Sequence, residues 1–244
     1  MSAINSLSHM LGSARYKTYL DAASGDKERA AELYEWSARV SSAWHYHISY
    51  IEVAVRNSID VQLRKWNATQ PKGSGVLFSA DWTAEGEAAQ PVYAILKDSL
   101  GKARIAARKE ARFRPDGHPR RGITPNHDDV IAQLMFGSWS RLVMAPGSAS
   151  QNNQKLLWEE CLSKAFAYAE QSDRGRKQVG RQLESVRRLR NRVAHHDNLL
   201  EVDISARLNG SLKLLSFINP DFPTLAMGSN TLRPLAKADP RKSW

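Results

Sequence analysis

KERAAELYEWSARVSSAWHYHISYIEVAVRNSIDVQLRKW, residues 27–66, decides the fold class. Leu33, Trp36, Val40, Trp44, His47, Ile51, Val55, Ile59 and Leu63 follow one another in steps of three or four. That repeat belongs to a helix burying one face, so the stretch is predicted to be one long amphipathic helix. Pro71, Gly73 and Gly75 end it in a loop. Working outward, a second helix is predicted over about residues 89–112, closed by the turn residues Pro115, Gly117 and Pro119. A third is predicted from Thr124-Pro125-Asn126 through Met144, with Asn126 or Thr124 as N-cap and Pro146-Gly147-Ser148 as the stop. Helices over 153–171 and 174–196 follow, then a last one within 202–217. No segment alternates apolar and polar residues for long enough to require a strand. The expectation is an all-α helical bundle without significant sheet, one domain over residues 1–228, with a polar, poorly ordered tail at 229–244.

The charge is uneven. Of a formal net +10, residues 102–121 hold eight Lys/Arg against two acids and residues 174–192 hold eight against one, which leaves the remainder near −3. Two concentrated basic segments favour a polyanionic partner, nucleic acid foremost. The lone Cys161 rules out an internal disulfide and a cysteine zinc cluster, which suits a reducing cytoplasm. The N-terminal residues lack a signal-peptide core, and no apolar run reaches about 18 residues, so no membrane partner is expected.

The second basic segment ends in LRNRVAHHDN, residues 189–198. A histidine titrating near neutrality can move a proton at a ribose hydroxyl, and an arginine fork can hold charge on a phosphate. Asn191 and His195 are four residues apart and share a helix face. On a helical wheel the core stripe Leu183, Val186, Leu189, Val193 lies about 45° from Arg190, nearly opposite His195 and about 75° from His196. Arg190 at the edge of the buried face needs a polar partner, and Glu52 on the long helix is the expected one. Glu52, Arg56 and Asp60 are spaced as a ladder of surface ion pairs. Arg187, Arg188, Arg190 and Arg192 have no acid among them, and an anionic partner would relieve their repulsion.

Arg190-Asn191-x3-His195 resembles the R-x4-6-H signature of the HEPN superfamily, and LRNRVAHH is similar to its bacterial Abi-like, abortive-infection branch. Three more segments are similar in the same order: YIEVAVRN at 50–57, DVIAQLMFGSWSRL at 129–142, and Leu157-Trp158. The resemblance implies a HEPN helical bundle and a homodimer that builds its cleft from two signature helices. It also implies a metal-independent endoribonuclease acting in toxin-type phage defence, with a neutralising protein or RNA partner. Arg190, Asn191 and His195 would be catalytic, and His196, Glu52 and Asn57 supporting. Arg187, Arg188 and Arg192 would contact RNA. No cofactor is implied. His127, Asp128, Asp129, His195, His196 and Asp197 are metal-ligand types but lack ligand spacing, so no metal site is expected. A P-loop, a dinucleotide fingerprint and a serine-hydrolase elbow are all missing from the sequence. The other reading is a HEPN-fold module that holds RNA or a partner protein and cleaves nothing. Phe136, Gly137 and Trp139 are read as helix packing.

Overall fold

The computed structural model describes residues 3–145 and 148–244, and the chain is all-α, with one two-stranded sheet among these residues. The long helix, α3 (Lys27–Asn67), forms as expected. Asp26 caps it, its side chain accepting from the backbone N–H groups of Glu28 and Arg29. At ~1.5 Å per residue it is roughly 60 Å long. Around it run α1 (Ala3–Leu11), α2 (Ser13–Ala22), α4 (Val92–Phe113), α5 (His127–Ala132), α6 (Phe136–Val143), α7 (Ser148–Glu160), α8 (Asp173–Ala194), α9 (Ile204–Ile218), α10 (Phe222–Met227) and α11 (Leu232–Lys237). The strands β1 (Pro71–Gly73) and β2 (Val76–Leu77) form a short antiparallel hairpin.

Two apolar cores share α3 and α8. Ile51, Val55, Ile59 and Leu63 pack with α4–α7 and with Val179, Leu183 and Val186 of α8. Leu33, Trp36, Val40 and Trp44 pack with α2, α9, α11 and with Leu189 and Val193 of α8. The signature end of α8 is thus anchored on the N-terminal half of α3.

Several expectations need correction. The third helix is two helices. Asn126 caps α5 in a capping box with Asp129, but Gln133–Met135 interrupts the run. The apolar stripe jumps phase there: Val130, Ile131 and Leu134 are buried, then Phe136, Trp139, Leu142 and Val143. One continuous helix would turn the second set toward solvent, so the chain breaks and restarts. Pro146 and Gly147, expected to stop this helix, lie outside the described residues. The helix expected over 153–171 stops at Glu160 and gives way to a 3₁₀ turn over Leu162–Phe166. That turn stacks Phe166 on Trp158, centroids 5.9 Å apart. The stretch after Gly228 is helical at α11. Leu232 is fully buried, the Trp36 indole N–H donates to the Leu235 carbonyl at 2.9 Å, and Arg241 lies over the Trp36 ring. A few well-placed contacts on one tryptophan order an otherwise polar segment. Nor did the apolar spacing announce α1 and α2; Tyr16 and Tyr19 bury themselves with only one turn of periodicity. Close packing falls at Gly175, Gly180 and Gly210 rather than at Gly137. A Cβ at Gly180 would meet Met144 Cβ at 2.6 Å, whereas one at Gly137 would find an ordinary contact to Arg187 at 3.6 Å.

The ladder Glu52, Arg56, Asp60 does not form either. Asp60 turns into the core, where its Oδ1 accepts from Trp82 Nε1 at 2.8 Å and from His127 Nε2 at 2.9 Å. His127 Nδ1 meets Asp81 Oδ1 at 2.7 Å. Both ring nitrogens therefore face carboxylates, which only the imidazolium satisfies as a donor at each. Burial pulls the His127 pKa down, yet the bonds to Asp60 and Asp81 outweigh it and the net direction is up. His47, buried against Ser211 and Asn230, is shifted down by burial. The sign of each follows by linkage. His127 stabilises fully below its unfolded value of about 6.5 and loses that contribution as pH rises through its raised folded value. His47, buried neutral, costs stability as pH falls below about 6.5. Stability measured by denaturant unfolding between weakly acidic and weakly alkaline pH should be greatest near that value, and His127→Gln should flatten the alkaline limb. An unaltered alkaline limb would contradict the charged assignment.

Candidate functional site

Ser172 caps α8, its hydroxyl accepting from Arg174 N–H, and Leu183, Val186, Leu189 and Val193 are buried as the wheel required. Arg190 sits at the edge of that face, and its Nε donates to Glu52 Oε1 at 3.1 Å across 138 positions of sequence. The expected pair is present. Both side chains keep about a third of their surface, 34% and 36%, so the guanidinium is oriented yet open to solvent.

The end of α8 differs from the wheel. The helix stops at Ala194, and His195 is its cap, with its N–H donating to Asn191 O at 3.0 Å. His196 N–H donates to Val193 O and Asp197 N–H to Arg192 O, at 3.1 and 2.9 Å. That is a Schellman closure, which puts His196 in the left-handed position usually held by glycine; its φ is +50°. His196 is consequently exposed and off the helix, although its wheel direction, about 75° from the core stripe, permitted a half-buried side chain. A β-carbon in that region costs about 1–2 kcal/mol, partly offset by the greater chain entropy of glycine. His196→Gly should therefore stabilise the fold by about 0.5–1 kcal/mol in denaturant unfolding. A loss of stability would show that the imidazole makes a compensating contact.

Asn191 and His195 line one recess of about 320 Å³, together with Arg192, Asp197 and Arg15. The shared face expected for Asn191 and His195 survives, although His195 reaches it as a cap. Arg192 joins them there, whereas Arg190 turns to Glu52. Asn57 stands apart, beside Tyr50, Val53 and Phe222 in a groove against α9 and α10, and its Oδ1 accepts from Arg56.

The arginine run is not left to repel itself. Glu184, one turn upstream, takes Arg187 through two bonds at 2.7 and 2.8 Å and Arg188 at 2.7 Å. The Arg187 fork foremost, and then Arg188, hold the Glu184 carboxyl down at about 2 against its partial burial. Arg192 reaches Asp197 Oδ2 at 3.2 Å and the Asn198 carbonyl. Four arginines thus meet three carboxylates, and the local excess is smaller than the run alone suggested. In the other basic segment three arginines are committed inward, whereas Lys102, Arg108, Lys109, Arg112 and Arg121 stay exposed. Arg104 donates to the Thr83 and Ala84 carbonyls, and Arg114 and Arg120 both grip Asp129.

Arg15 is what sequence reading missed. It takes neither a side-chain hydrogen bond nor an ion pair among the described residues, and it faces the same recess from α2. No pattern around residue 15 announces this, since only the packing of α2 on α3 brings it there.

Comparison with models of known families, with characterised proteins and with solved structures finds no match.

What the residues offer is proton transfer and anion binding. His195 is exposed and Asn191 has no side-chain partner drawn into the core, while Arg192 and Arg15 supply charge beside them. Among the described residues, no group of three or more His, Cys, Asp or Glu is placed to hold a metal ion. His127 is spent on Asp60 and Asp81, and Asp129 on its cap and two arginines. Cys161 is buried, and that burial pushes its thiol up to about 12, so it is no nucleophile. No helix among the described residues is long and apolar enough to cross a membrane.

Proposed function

We propose that this chain is a metal-independent endoribonuclease of the Abi-like HEPN type. The observation that carries the reading is the meeting of Asn191, Arg192 and His195 around one recess; Arg190, oriented by Glu52, stands outside its lining and keeps a partly exposed guanidinium for the substrate phosphate. A ribose 2′-hydroxyl attacks the adjacent phosphorus, the P–O5′ bond breaks, and a 2′,3′-cyclic phosphate and a free 5′-hydroxyl result. His195 moves a proton at one of those two oxygens. Arg190 and Arg192 stabilise the charge that gathers on the phosphoryl oxygens, and Asn191 positions the phosphate. Arg187 and Arg188 keep exposed surface beyond their shared Glu184 and track the RNA backbone.

One histidine cannot both remove and supply a proton in the same step. A two-fold homodimer pairing the signature ends of α8 would bring a second His195 to the cleft. In the cell, the reading is a cytoplasmic toxin of phage defence, restrained by a neutralising protein or RNA.

Incubation of the purified protein with total RNA in EDTA tests the chemistry. Cleavage should persist, because proton transfer and arginine clamps need no metal. Abolition by EDTA with rescue by Mg²⁺ or Mn²⁺ would overturn the mechanism. Tight RNA binding without cleavage, at any metal concentration, would favour the non-catalytic module instead.

A further inference from the structure

The recess at His195 opens beside a second one. Arg15 and Asp197 stand on both. The inner recess has a volume of about 510 Å³, within the roughly 300–1,000 Å³ range of small-molecule sites. Its floor is a stripe of α3: Tyr34, Ser37, Ser41 and His45, three or four residues apart, closed by Tyr19 of α2 and by His196. Tyr19 is fixed. It is 3% exposed, its hydroxyl donates to Ser37 Oγ at 3.3 Å, and the Tyr34 ring stands edge-on against it, centroids 5.4 Å apart. Tyr34 and His45 remain accessible from the recess.

We infer that these two recesses form one nucleotide site, with the phosphate in the outer recess and the base in the inner one. Arg15 is the bridging cation, free of any carboxylate among the described residues and in reach of both halves. An aromatic or imidazole face stacks on any base. The Ser41 hydroxyl and the Asp197 carboxylate supply the edge contacts that tell one base from another. A sugar phosphate would leave the aromatic wall unused, and inorganic phosphate would fill only the outer recess. His196, held in a left-handed conformation, lines the inner recess and not the outer one. The inference deepens the ribonuclease reading and rests on it for the biological role: the inner recess selects the base beside the scissile phosphate.

The test is calorimetric titration of the intact protein with the four nucleoside 3′-monophosphates, the matching nucleosides and inorganic phosphate. Ser41→Trp, which fills the inner recess, and Arg15→Ala are run beside the wild type. At least one monophosphate should bind 10-fold or more tighter than phosphate. Ser41→Trp should erase that advantage and leave phosphate binding unchanged, and Arg15→Ala should weaken both. If Ser41→Trp does not fold, Tyr34→Ala serves, with the same loss expected. Monophosphates binding no tighter than phosphate, or binding unaffected by filling the recess, would overturn the inference. Tight, recess-dependent nucleotide binding by a protein that cuts no RNA would uphold the site and refute the ribonuclease reading. Cleavage whose base preference is unaltered in Ser41→Trp would do the reverse.

Discussion

His195→Ala is expected to lower RNA cleavage at least about 100-fold, the usual loss when a general acid or base is removed, with no comparable loss of stability. The two effects separate because of where the residue sits. Its backbone N–H closes the end of α8 on Asn191 O, a bond that alanine keeps, while its side chain is exposed and packs against no core. Circular dichroism and a melt would establish the fold, and cleavage kinetics would establish the loss. A well-folded variant cutting at the wild-type rate would show that another group moves the proton. Arg190→Ala should cost similarly in rate. Its partner Glu52 is partly exposed, so loss of that ion pair removes under about 1 kcal/mol of stability.

Asp60→Ala is expected to have the largest effect on the fold, about 3–5 kcal/mol, the scale for breaking a buried charge pair by removing one partner. The variant strands two donors at once. Trp82 Nε1 is left without its acceptor, and the His127 imidazolium keeps Asp81 and the Thr83 hydroxyl at Nδ1 but nothing at Nε2. Because His127 opens α5 and Trp82 belongs to the segment between α3 and α4, the loss should loosen that end of the molecule while leaving the recess at His195 assembled. Urea unfolding checks the size, and an unchanged midpoint would mean that water replaces the carboxylate without penalty. The two variants therefore dissociate chemistry from architecture in opposite directions.

Legibility in the sequence followed local periodicity. The α3 stripe, the α8 stripe and the Asn126 cap are patterns within a few turns, and each formed where the spacing required. The Glu52–Arg190 pair was also readable, because an arginine at the edge of a buried stripe needs an acid, and the long helix offered one. Breaks were harder. The step from Leu134 to Phe136 does carry the phase jump that splits the third helix, but it is visible only when burial is counted residue by residue. Sequence could not show that Asp60 leaves its helical neighbours for Trp82 and His127, since those partners lie 22 and 67 positions away. The same applies to Arg15 and Tyr19, whose role depends on α2 folding back over α3. The Schellman closure at His196 is a further case. Glycine would have announced it; histidine hid it, and so the wheel was carried two residues too far.

The central claim is that RNA is cut by its own 2′-hydroxyl with His195 and the neighbouring arginines as the only catalysts. The end chemistry of the products measures this most directly. RNA cut in EDTA by the wild-type protein, followed by phosphatase and polynucleotide kinase treatment and mass analysis of the fragments, should show 2′,3′-cyclic phosphate or 3′-phosphate ends opposite free 5′-hydroxyls. Fragments bearing 5′-phosphates and free 3′-hydroxyls would mean that water attacked the phosphorus, and the account would be contradicted.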